Sequence, residues 1–322
     1  MRSRSICVLG GTGFVGSHLV SRLVRDGHRV RLLTRSRNRH RNLLVLPGLE
    51  LVEADVHDPQ ALSGALAGFD CAINLVGILN ERGFSGAGFE HAHAELTRKL
   101  LVACRAAGVT RLLQMSSLRA AEDAPSHYLR SKGRAEAAIR AAGDGLAWTI
   151  LQPSVIYGAG DSFMNRFAGL VRLFPVMPLA RAGARFAPVY VGDVVEAFAR
   201  AVDHRDTHGR TLELYGPDVI TLGEVVRFVA SVTGARCAIV ALPDFAGWLQ
   251  AAALGCVPGK PLSLDNFHSL SLDSVGTHDG LATLGIAPSS LRAVVPTYLG
   301  AAGREAQLDA ARRAAGAREG AI

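Results

Sequence analysis

Short apolar runs alternate along the first half of the chain with stretches in which apolar residues recur every three or four positions. The runs over 5–9, 28–34, 49–53, 71–76 and 111–115 have strand length and the composition of a buried parallel sheet. Between them, helical periodicity predicts helices over 17–25, 59–67 and 89–107. Strand and helix in alternation predict an α/β fold of the Rossmann type, a doubly wound parallel sheet with helices on both faces. After residue 157 the pattern changes. An apolar stretch over 163–179 is interrupted by Arg166 and Arg172 and closed by Pro175 and Pro178. It is followed by a strand over 186–191, a helix to residue 202 with Asp193 as its expected cap, and a strand over 212–215. A helix over 222–233 behind Thr221, a strand over 238–241 and an apolar helix over 246–255 complete a smaller mixed α/β lobe. The expected division is a dinucleotide-binding unit over 1–157, a substrate lobe over 158–300 from which about 186–202 returns to the first unit, and an Ala/Arg-rich tail over 301–322.

The first strand runs directly into Gly10-Gly11-Thr12-Gly13-Phe14-Val15-Gly16. Three glycines spaced three apart, between a strand and a helix, suit a tight turn at Gly10, a close approach of pyrophosphate at Gly13 and helix–strand packing at Gly16. Thr12, Phe14 and Val15 are cofactor-binding candidates in the turn, ahead of a helix whose unpaired N–H donors face the phosphates. At the end of the second strand stands Arg35, where an acid would bind a ribose 2′-hydroxyl; an arginine suits a 2′-phosphate and favours NADP(H), with NAD(H) as the alternative. Asp55, with Val56 beside it, leaves the third strand where a carboxylate can reach an adenine amino group or cap the helix beginning at Pro59. Val76 and Gly77 end the fourth strand, and a glycine there lets backbone approach the cofactor. His91 and His93 lie two apart on a helix, share no face, and read as surface or packing residues; no metal site is expected.

Tyr128 and Lys132 are four apart, on one helical face, just after a strand ending in Ser116-Ser117. An ammonium beside a phenol favours phenolate and brings proton exchange toward neutral pH, while a serine hydroxyl can hold a substrate oxygen. With the glycines, Asp55, the serine pair and the Pro153-containing stretch over 151–158, these residues make the chain resemble the extended or atypical, epimerase/dehydratase-like branch of the short-chain dehydrogenase/reductase superfamily. The stretches over 128–132, 161–167, 188–194 and 258–261 are similar to the subfamily related to the NADH-binding accessory subunit of mitochondrial complex I. The resemblance implies that Tyr128 is the acid/base and that Lys132 binds nicotinamide ribose and tunes the tyrosine. It implies a serine that polarises the carbonyl, for which Ser117 is preferred over Ser116, and places Pro153 and Val155 beside the nicotinamide. The segment Leu118-Arg119-Ala120 departs from the usual pattern of the extended branch.

Composition narrows the function. The chain of 322 residues is 49% hydrophobic, enough for a sizeable core, with no apolar run long enough for a signal-peptide core or a bilayer span. Five scattered cysteines read as core residues in a reducing compartment, so the expected location is the cytoplasm, with the inner face of a membrane allowed. A formal charge of +7 is concentrated in Arg35, Arg37, Arg39, Arg41 and in the tail, without interleaved aromatics, which argues against nucleic acid. The second lobe offers few polar side chains for sugar hydroxyls. Its segments over 167–177 and 245–257 suit the lobe's own core or an apolar ligand such as a quinone, isoprenoid or lipid. Three functions follow: an NADP(H)-preferring oxidoreductase, a dinucleotide-binding assembly or redox-sensing protein contacting a membrane or respiratory complex, and a nucleotide-sugar epimerase or dehydratase.

Overall fold

Side-chain alternation along the first strand decides the architecture. In β1 (Ser5–Leu9), Ile6 and Val8 enter one core and Cys7 and Leu9 another, and all four are fully buried, so both faces of the sheet are covered. The computed structural model describes residues 3–300; the expected tail over 301–322 lies outside them, as does the Arg41 side chain.

After β1 come α1 (Phe14–Arg25), β2 (Arg29–Thr34), β3 (Leu49–Glu53), α2 (Pro59–Leu66) and β4 (Cys71–Asn74). A continuous helix over 87–107 follows, made of α3 (Ala87–Phe89), a π-helical stretch Glu90–Glu95 and α4 (Leu96–Ala107). Next are β5 (Arg111–Met115), α5 (His127–Arg140), β6 (Ala147–Pro153), β7 (Ile156–Tyr157), α6 (Phe163–Leu173), β8 (Val176–Leu179), β9 (Arg185–Phe186) and β10 (Val189–Tyr190). The chain continues through α7 (Val191–Asp203), β11 (Arg210–Leu214), β12 (Ile220–Thr221), α8 (Leu222–Thr233), β13 (Ala238–Ala241) and α9 (Asp244–Gly255). It closes with α10 (Leu264–Ser269), α11 (Gly280–Thr283) and α12 (Leu291–Leu299).

Seven strands form one parallel sheet in the order β3-β2-β1-β4-β5-β6-β11. One face is covered by α1, α7 and α11, the other by α2, α4 and α5. A separate core joins α6, α8 and α12 around Tyr157. The order reverses between β1 and β4, which opens a crevice at the strands' C-terminal ends.

Several local expectations shift. Helix α1 begins at Phe14 rather than at 17, because Gly13 already takes the N-cap position. The fourth strand stops at Asn74 rather than 76, where the Asn74 side chain accepts the Val76 N–H at 3.1 Å and turns the chain out of the ladder. The strand expected over 186–191 is split into β9 and β10, and Val191 opens α7. Asp193 does not cap that helix: it lies in the first turn and accepts hydrogen bonds from the Ser289 N–H and hydroxyl. Asp58, not Asp55, caps α2, accepting the N–H groups of Gln60 and Ala61. The strand expected over 212–215 pairs with β6 and extends the main sheet, so that sheet draws on chain far beyond residue 157.

Candidate active site

The residues singled out in the sequence are gathered by topology. In a parallel sheet every strand's exit lies on one edge, so the turn after β1, Arg35 after β2, Asp55 after β3, Val76-Gly77 after β4, Ser116-Ser117 after β5 and Pro153 at the end of β6 line the same crevice.

The glycine turn is built for close backbone approach. Gly10 has φ +75°, and a Cβ there would lie 2.7 Å from the Val76 nitrogen. A Cβ at Gly16 would fall 2.3 Å from the Gly11 Cα, so the helix rests directly on the turn. Gly13 faces outward, with only the Gly10 carbonyl near the place of a Cβ. Helix α1 has neither a side-chain cap nor an acid in its first turn, which leaves its N–H donors and positive dipole end open to an anion. By contrast, α5 and α8 have capped N-termini. Val15 is buried under the sheet, so only its backbone can face the crevice, whereas Thr12 and Phe14 are half-buried and Phe14 reaches the loop at Gly158. Arg35 is exposed. Asp55 is exposed as well, its carboxylate accepting the His57 N–H at 2.9 Å in a turn. The half-buried Val56 and Val76 pack on the core under α2 and α4.

The catalytic candidates converge on α5. Tyr128 is half-buried; burial pushes its phenol up from the ordinary value, and the nearby Ser117 side chain works against that push. The Ser116 hydroxyl is buried and has no hydrogen-bond partner among the described residues. Lys132 is buried, its ammonium donates to the Met115 carbonyl at 3.1 Å, and burial lowers it to about 8. The expected lowering of the Tyr128 phenol by Lys132 is not found: burial raises the phenol, and the ammonium is directed to the strand end at Met115. Gly77 lies against Lys132 and His93: a Cβ there would sit 3.3 Å from the Lys132 Nζ and 3.6 Å from the His93 Nε2.

His93 is the residue that sequence reasoning missed. It is buried, its Nε2 accepts the Ile78 N–H at 3.1 Å, and its Nδ1 pairs with the Ser131 hydroxyl at 2.8 Å. Its ring stands edge-on to Tyr128, with centroids 5.6 Å apart. Desolvation, aided by Lys132, pushes it down to about 2, so it is a neutral imidazole with both nitrogens engaged. The available signal was its phase: at helical spacing His93 shares a face with Phe89, Leu96 and Leu100, all buried. His91, by contrast, is exposed and stacks on His57 at 3.8 Å.

The second lobe reaches the same helix. Asp265 of α10 accepts the backbone N–H groups of His127 and Tyr128 at 2.6 and 3.2 Å, and Ser269 donates to Ser126, the N-cap of α5. Arg119, with φ +64°, donates to the carbonyls of Asp273 and Val275. Val155, after β6, packs on the second lobe's core, and Ser154 is tied to Ser274 at 2.8 Å. Among the described residues no cluster of potential metal ligands occurs.

Comparison with known proteins agrees with this geometry. A protein family described as NAD(P)H-binding matches residues 10–162. The chain is 32% identical over 311 residues to NADH dehydrogenase [ubiquinone] 1 alpha subcomplex subunit 9, mitochondrial, of Arabidopsis thaliana, covering 91% of this chain and 76% of that protein. It is 34% identical over 260 residues to the ceramide reductase of Caulobacter vibrioides, covering 77% of this chain and 76% of that protein. Among solved structures, MoeE5 in complex with UDP-glucuronic acid and NAD superposes with a TM-score of 0.72 over 92% of this chain and 97% of that one. At 22% identity that last likeness bears on the fold alone.

Proposed function

This chain belongs to the NAD(P)-binding, epimerase/dehydratase-like branch of the short-chain dehydrogenase/reductase superfamily, and from that premise we propose that it is an NADP(H)-preferring oxidoreductase. Its substrate is a carbonyl or hydroxyl compound of apolar character, such as a quinone, isoprenoid or lipid. The observation that carries this reading is Tyr128 with Ser117 at its phenol and Lys132 and His93 behind it, across the strand ends from an uncapped α1. The glycine turn from Gly10 to Gly16 fits a pyrophosphate, and exposed Arg35, after the second strand, would pair with a 2′-phosphate. Bound there, the dinucleotide supplies the hydride.

The chain's own residues handle the proton. In the reductive direction Tyr128 gives its phenolic proton to the substrate oxygen and Ser117 steadies that oxygen. In the oxidative direction Tyr128 takes the proton back. Lys132, its ammonium held at the Met115 carbonyl, would bind the nicotinamide ribose, and Asp265 and His93 hold the flanking backbone in place. The relative named ceramide reductase supports a lipid-like substrate.

A second reading is a non-catalytic dinucleotide-binding protein of a respiratory assembly. It is favoured by the relatives named as complex I subunits and by a phenol that burial raises. A nucleotide-sugar epimerase is the third, and the apolar second lobe counts against it. Titration with NADPH and NADH, followed by fluorescence, tests the cofactor: tighter NADPH binding that is lost in Arg35→Ala supports the reading. Equal affinities unchanged by the substitution would put NAD(H) first. Turnover of long-chain ketones and quinones by the wild type but not by Tyr128→Phe separates the enzyme from the binding protein.

A further inference from the structure

Helix α9 is inside out. Its buried positions are Gly247, Ala251 and Gly255, while Phe245, Trp248 and Leu249 stand 71%, 46% and 57% exposed. These three lie at i, i+3 and i+4 on one helical face, and that face continues to exposed Cys256 and Val257. Among the described residues nothing covers them. The small residues are what the protein itself needs: a Cβ at Gly247 would meet Ala180 at 3.0 Å and Phe267 at 3.1 Å. Between Asp244 and Lys260 no residue carries a charge.

The face extends over the rim of the active site. Phe84, 63% exposed, lies against the C-terminal end of α9 near Gly255, with the Lys260 ammonium 4.0 Å above its ring. The loop carrying Phe84 and exposed Leu79 is pinned to the same segment: Asn80 donates to the Lys260 carbonyl and Lys260 to the Gly83 carbonyl. That loop starts at Gly77 and Ile78, beside Lys132 and His93. Beside the apolar residues stand Arg82, Arg166 and Lys260; of the nearby acids Glu81 and Asp265 are half-buried, and Asp244, at the start of α9, is exposed but paired. Glu81 binds the N–H groups of Gly86 and Gly88, Asp265 caps α5, and Asp244 pairs with Arg181.

We propose that the exposed face of α9, with Phe84 and Leu79, docks on an anionic lipid bilayer, with the mouth of the active site at the lipid surface. Uncharged bulk with a tryptophan, with cations beside it, matches the two components of interfacial binding, burial at the acyl boundary and attraction to anionic headgroups. The surface goes beyond the oxidoreductase reading and does not depend on it.

The test is flotation of the full chain with vesicles of phosphatidylcholine alone or mixed with phosphatidylglycerol, beside the double variant Phe245→Glu/Leu249→Glu. Dinucleotide binding and the melting temperature serve as controls for folding. The expected result is flotation with the mixed vesicles and a fall of at least about tenfold in the variant, since two buried side chains are lost. In a Trp148→Phe background, Trp248 fluorescence should be quenched by brominated acyl chains. Lack of flotation with either vesicle would overturn the proposal, as would flotation that the double variant leaves unchanged and high salt abolishes, which is adsorption of a basic chain. Self-association that the double variant dissolves, without lipid binding, would assign the face to a second copy instead and equally overturn it. Loss of turnover with flotation intact leaves the surface standing and removes only the enzymatic reading.

Discussion

Helices α1 and α9 are each twelve residues long and solve opposite problems. Helix α1 buries Val15, Leu19, Val20 and Leu23 against the sheet and turns His18 and Arg25 outward. Helix α9 buries glycine and alanine and turns its large apolar groups outward. Hydrophobic content alone does not separate them; the distribution by size around the axis does. Where the large residues face in, the helix supports the fold. Where they face out, the stabilisation they can give is left for another surface.

Substitutions can break that contrast or sharpen it. The largest effect is expected in the half that α1 supports, where Tyr128→Phe should lower turnover by about 10²- to 10⁴-fold with little change in dinucleotide affinity. No substitution on the exposed face of α9 should alter turnover of a water-dispersed substrate. Next is Leu19→Ala, which removes a fully buried side chain and should cost about 3 kcal/mol in urea unfolding. Asp265→Asn, which weakens the carboxylate cap on α5, should cost about 1 kcal/mol and raise KM more than it lowers kcat if the joint between the halves positions substrate. Leu249→Ala should move stability by less than about 0.5 kcal/mol; a loss comparable to that of Leu19→Ala would show that α9 is covered within the fold and end the contrast.

Acidity gives an independent check on the buried site. His93 is held near 2 against an ordinary value of 6.5, so below 6.5 the unfolded chain binds a proton that the folded one refuses. Stability should fall as pH drops below 6.5, and His93→Gln should remove that part of the slope. Lys132, lowered from 10.5 to about 8, acts in the other window. Between pH 8 and 10.5 the unfolded chain carries the extra proton, so stability should rise with pH there and Lys132→Met should flatten the rise. Urea titrations of the paired proteins across both ranges measure it.

Much of the site was legible because its residues are tied to strand ends. A glycine turn after a strand, an arginine after the next, and a Tyr–Lys pair behind a serine strand end all have fixed places once the strands are parallel. His93 and Asp265 were not legible for the opposite reason. His93 depends on the phase of a helix that includes a π-helical stretch, and Asp265 comes from a segment 137 residues after Tyr128 in the chain. The preference for Ser117 over Ser116 came from the resemblance and not from local pattern, since adjacent residues at a strand end point to opposite sides.

The amino-acid sequence by itself determined the α/β alternation, the glycine turn and the candidate chemistry on α5, because these rest on local periodicity and on residue types with few alternatives. Only the tertiary structure decided that β11 joins the first sheet, that the second lobe caps α5 through Asp265, and which way α9 faces. The physical reason is the same in each case. An apolar segment carries the tendency to leave water but not the identity of the surface it meets, and that is settled by segments far away in the chain.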